Sequence, residues 1–66
     1  MKAIIKYSDI SNNKRQKTIN VAKNEPNAII RQFIEISNLP KYTYITTVKC
    51  GRVEYQWFGP ANGAFS

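Results

Sequence analysis

The chain offers few side chains able to take part in covalent chemistry. Its one cysteine, Cys50, is preceded by Lys49 and followed by Gly51 and Arg52, and those two cations would favour a thiolate. No second cysteine is present to resolve an oxidised intermediate, so an ordinary turn residue is the plainer reading of Cys50. There is no histidine, which removes Ser-His and Cys-His pairs, the usual general base and the common zinc-ligand sets. The four carboxylates, Asp9, Glu25, Glu35 and Glu54, fall in a loop, at a helix start, on an outer helix face and on a sheet face, which is not a metal cluster. All three glycines follow position 50, and none belongs to a phosphate-cradling or dinucleotide-binding pattern. This inventory points away from an enzyme and implies no cofactor.

Positive charge is what the chain has in quantity. Ten Lys and Arg against four Asp and Glu leave a net +6 on 66 residues, a balance that attracts polyanions over long range. The charge is uneven, because residues 1–23 hold Lys2, Lys6, Lys14, Arg15, Lys17 and Lys23 against Asp9 alone. Candidate nucleic-acid contacts are Lys2, Lys6, Lys14, Arg15, Lys17, Lys49 and Arg52. A basic surface kept for solubility is the competing reading of the same residues.

The elements that must position them are arranged around one helix. Residues Glu25 to Asn38 place Ile29, Ile30, Phe33, Ile36 and Ser37 in one stripe, with Ile34 on its margin and Arg31, Gln32, Glu35 and Asn38 opposite. Asn24 is the expected N-cap, Pro26 suits the first turn, Asn38 suits a left-handed end, and Pro40 forbids continuation. Before the helix, Met1 to Tyr7 alternates as a half-buried strand, Ser8 to Arg15 is an exposed mobile turn, and Gln16 to Ala22 returns with Ile19 and Val21 inward. After it, Tyr42 to Lys49 and Arg52 to Phe58 flank Cys50-Gly51, with glycine expected as the second central turn residue. That register sets Val48 opposite Val53, Thr46 opposite Tyr55 and Tyr44 opposite Trp57. Tyr42, Tyr44, Thr46, Val48, Val53, Tyr55 and Trp57 then face the helix, while Thr43, Ile45, Thr47, Lys49, Arg52, Glu54, Gln56 and Phe58 face away.

The expected fold is α+β, a ββαββ arrangement in which one amphipathic helix packs on one face of a four-stranded antiparallel sheet. Residues 1–59 form a single domain of this kind and 60–66 a frayed tail. A bare sheet face carrying lysines, joined by Lys14, Arg15 and Lys17 at the tip of the first hairpin, would suit phosphate contacts, and a sheet or ribbon can enter the major groove, so DNA is favoured over RNA. Stacking of unpaired bases needs exposed rings, and parity hides all but Phe58 unless a bulge reverses it.

The competing partner is an acidic host protein, met through Ile4, Ile45 and Phe58 with the surrounding cations, or a second copy met through a sheet edge. The abundance of Asn, Ile and Lys suggests an AT-rich genome, such as that of a low-GC bacterium or its phage. Small basic proteins of phages and mobile elements that inhibit nucleic-acid enzymes or defence components offer an analogy for this second reading. No apolar run reaches membrane-spanning length and no secretory signal opens the chain, so a cytoplasmic setting with no membrane partner is expected.

Overall fold

Four strands and one helix follow in the expected order in a computed structural model that describes residues 1–65. Strands β1 (Lys2–Ser8) and β2 (Lys14–Asn20) form the first hairpin, α1 spans Pro26–Ser37, and β3 (Tyr44–Cys50) and β4 (Val53–Pro60) form the second. All strand pairs are antiparallel, in the order β2-β1-β3-β4. The two central strands are therefore one from each hairpin, and β2 and β4 are the edges.

The helix is amphipathic and covers one face. Ile29, Ile30, Phe33 and Ile34 are buried on Ala3, Ile5, Ile19, Val21, Ile45, Val48 and Cys50, and Phe33 meets the ring of Tyr7 with centroids 4.9 Å apart and a tilt of 56°. Asn38 closes the helix at φ 53° and ψ 42°, the left-handed ending expected of it. The start differs from expectation. Glu25 occupies the cap with extended backbone and no side-chain hydrogen bond, because the Asn24 side-chain oxygen accepts instead from the Tyr55 hydroxyl at 3.0 Å.

The helix is also rotated from the expected stripe, burying Ile34 and leaving Ile36 54% exposed. The cause lies at the C-terminus. Residues expected to fray form a 3-10 helix, Ala61–Phe65, with Ala61 and Ala64 buried. It docks beside α1, where Arg31 donates to the Ala64 carbonyl at 2.8 Å. At about 100° per residue Arg31 lies next to Ile34 and far from Ile36, so this packing draws the covered stripe towards Ile34. The Ala61 N–H donates to Thr43 O at 2.8 Å and the Trp57 indole N–H to Pro60 O at 3.0 Å, fixing the segment's entry. Lys41 Nζ stands 4.7 Å from the centre of the Phe65 ring. Ser66, the last residue of the expected tail, lies outside the described residues.

The second hairpin turns one residue later than expected. Cys50 pairs with Val53 and Val48 with Tyr55, so Gly51 and Arg52 are the central turn residues. Gly51 has φ +63° and comes first, the glycine placement of a type II′ turn. Because the shift is by two in the pairing sum, Val48, Tyr55 and Trp57 keep the helix-facing side assigned to them. The faces diverge at Thr46, which is the extra residue on β3 against Lys6 and Tyr7 of β1. On its other side Trp57 and Phe58 of β4 share the space opposite Thr46, with Phe58 at φ 44°. Beyond this double irregularity the alternation is reversed, so Ile45 and Thr43 turn inward and are buried, whereas Tyr44 and Tyr42 turn out.

Candidate nucleic-acid interface

The face of the sheet away from α1 is read directly from the strand pairing. Across the four strands, one row runs Thr18, Ile4, Lys49 and Glu54, and the next runs Gln16, Lys6, Thr47 and Gln56. A third runs Lys14, Ser8, Tyr44 and Pro60, and Lys2 stands beside Asn20 at the opposite end. Lys2, Lys6, Lys14 and Lys49 thus share one surface, spaced by amides, hydroxyls and a tyrosine ring. Glu54, opposite Lys49, is the acidic side chain among these rows. Lys6, Lys14, Gln16 and Thr46, together with Tyr7 and Arg15, line a shallow depression of about 370 Å³ beside it.

By strand alternation the remaining candidate cations fall outside this group, although Arg15 also lines the depression. Arg15 and Lys17 alternate to the helix-facing side of β2, opposite Tyr7 and Ile5, and Lys17 is half-buried at the sheet edge. Arg15 is committed to Asp9, its Nε donating to Oδ2 at 2.6 Å. Arg52 occupies the exposed hairpin turn. The first-hairpin tip therefore does not present Lys14, Arg15 and Lys17 as one cluster, because successive strand residues point to opposite faces.

The tip is built around Asp9. Its Oδ1 accepts the backbone N–H of Ser11 at 3.0 Å and of Asn13 at 2.9 Å, and Asn12 takes the left-handed conformation at φ 62°. The bond from Arg15, with the Asn13 and Ser11 amides and the Arg15 charge, holds the Asp9 carboxyl below its ordinary 3.8, and the same pairing raises the Arg15 guanidinium above its ordinary value. The Asp9 carboxylate shares the shaping of this loop with two backbone bonds, Asn12 N–H to Asp9 O at 2.9 Å and Asp9 N–H to Asn13 O at 3.0 Å.

Of the apolar residues assigned to a protein partner, Ile45 is excluded, being fully buried under α1 as a consequence of the Thr46 irregularity. Ile4 sits between Thr18 and Lys49 on the basic face, partly exposed, and Phe58 is exposed at the bulge. Cys50 ends β3 and is buried, with its Sγ 3.2 Å from Met1 Sδ, so the thiol beside Lys49 and Arg52 is shielded from solvent. Sequence parity missed a second feature, a groove of about 430 Å³ where the Asp9 loop faces the α1–β3 connection. Ile10, Leu39, Pro40, Tyr42 and Tyr44 supply its apolar walls. The signal available for it was the concentration of Leu39, Pro40, Tyr42 and Tyr44 in six residues.

Among the described residues no group of three or more potential ligands is placed to hold a metal ion, and no helix is long and apolar enough to cross a membrane. Compared with family models, curated proteins and solved structures, the chain matches none of them.

Proposed function

We propose that this chain is a non-enzymatic, cytoplasmic binding module that holds nucleic acid with little sequence preference on the uncovered face of its sheet. One observation carries the reading: Lys2, Lys6, Lys14 and Lys49 stand on the same bare surface, with Gln16, Thr18, Asn20 and Gln56 between them. Flexible ammonium groups neutralise phosphates without demanding a base sequence, and the neighbouring amides add hydrogen bonds to sugar, phosphate or base edges. Lys49, opposite Glu54, contributes less than Lys6 and Lys14, whose row neighbours carry no negative charge.

Titration of fluorescent oligonucleotides at increasing salt tests this. Each phosphate neutralised contributes about −0.7 to −0.9 to the slope of log K against log salt, so Lys6→Ala with Lys14→Ala should flatten the slope by roughly 1.5. An Arg15→Ala variant, whose side chain serves the loop, should change it far less. Absence of binding to every oligonucleotide at low salt would remove the proposal.

An acidic protein on the same surface is the second reading, favoured by Phe58 of β4, a residue 57% exposed. A nuclease-treated lysate separates the two, since this reading requires one stoichiometric partner that survives the treatment.

A further inference from the structure

We infer that the groove between the Asp9 loop and the α1–β3 connection is a seat for an unpaired base, which makes single-stranded nucleic acid the preferred ligand. The inference rests on the nucleic-acid reading above and narrows it. Tyr42 is 66% exposed and Tyr44 44%, both on the groove, and Ile10 across from them is 90% exposed. Rings held open to solvent on a largely apolar wall give a base a face to stack on, which a base inside a duplex could not reach.

The surrounding charge fits this occupant. Tyr44 and Lys14 belong to one row, either side of Ser8, and two strand spacings put their backbones about 10 Å apart. A base on Tyr44 would leave its phosphate within reach of the Lys14 side chain, and Lys6 is the next residue of β1 on the same face. The one carboxylate lining the groove, Asp9, is bonded to Arg15 and two backbone amides, so its charge is already compensated. The same bonds hold the loop that carries Ile10, so that wall is formed before a ligand arrives.

Other occupants fit less well. A peptide adding itself as a strand needs an unpaired sheet edge, and Ser8 and Tyr44 belong to the two central strands, already paired on both sides. A second copy would bring another net +6 to a surface already basic.

The test compares a short oligothymidylate or oligouridylate with an abasic strand of the same length and with a duplex. Because stacking on one aromatic side chain strengthens binding by roughly 5- to 150-fold, the base-bearing strands should bind at least about five-fold more tightly than the abasic one. Tyr44→Ala or Tyr42→Ala should abolish the difference and Tyr44→Phe should keep it, while Lys14→Ala weakens all strands alike. Thermal melts accompany each variant, and Tyr42, the more exposed ring, provides the reading if Tyr44→Ala fails to fold. Equal affinity for abasic and base-bearing strands, with the tyrosine variants unchanged, overturns the seat but leaves the basic-face reading intact. Binding to none of the strands overturns both. A dimer in sedimentation that Tyr42→Ala dissolves would place a second copy in the groove and also overturn it.

Discussion

At the scale of single residues, three of the hydrogen bonds at the first hairpin's tip depend on one ionisation. Asp9 must be a carboxylate to accept from Ser11, Asn13 and Arg15 together, and its pKa is lowered by the Arg15 hydrogen bond first and the Asn13 amide next. A group with a depressed folded pKa contributes stability that is fully present above its unfolded value of 3.8 and is lost as pH falls through the lower folded value. Amide exchange of Ser11 and Asn13, corrected for its intrinsic pH dependence, should therefore stay slow at neutral pH and accelerate only in strong acid. Asp9→Ala should accelerate both amides at neutral pH as well, since it removes the oxygen that accepts from them. Protection that persists unchanged into acid would mean that the loop is held by something other than this carboxylate. The consequence reaches the groove, because Ile10 follows Asp9 directly.

At the scale of elements, the rotation of α1 makes a paired prediction. Ile34→Ala empties a buried site and should cost about 2 to 5 kcal/mol, whereas Ile36→Ala removes an exposed side chain and should cost less than about 0.5 kcal/mol. Denaturant unfolding gives both numbers, and equal costs would contradict the docking of Ala61–Phe65 beside Arg31. Gly51→Ala meets no atom within 4 Å, so its penalty is conformational, about 1 to 2 kcal/mol for placing an L-residue at φ +63°. Chain composition made the four strands, the helix and the left-handed Asn38 legible, because alternation, a 3.6-residue period and a helix-stopping proline act locally. It could not show Tyr44 outward and Ile45 inward. That reversal depends on Thr46 being an extra residue between two neighbours and on Phe58 adopting a positive φ usually left to glycine, facts of pairing that no single segment carries. The docked 3-10 helix was hidden for a similar reason: Ala61 and Ala64, three apart, match its repeat, but their burial depends on α1 standing beside them.

At the scale of the whole molecule, charge that favours a polyanion must also oppose folding. The Cα extents are 29 × 22 × 19 Å, comparable to the roughly 30 Å Debye length at 0.01 M salt, so in dilute buffer every cation feels the rest. Two like charges 10 Å apart in water repel by about 0.4 kcal/mol, and lysines sharing one sheet face add several such terms to a small total stability. Raising sodium chloride to 0.1 M or above shortens the Debye length to about 10 Å and should relieve that repulsion. With about 1 kcal/mol corresponding to 4 to 8 °C in a chain of this size, a rise in Tm of several degrees is the expected outcome of calorimetry at low and moderate salt. Replacing Lys6 and Lys14 by Ala should reduce that rise and weaken nucleic-acid binding together, because one set of charges produces both effects. A Tm indifferent to salt would show that the positive side chains are too far apart, or too well compensated, to act as one surface. The shared phosphate interface would then lose its electrostatic basis.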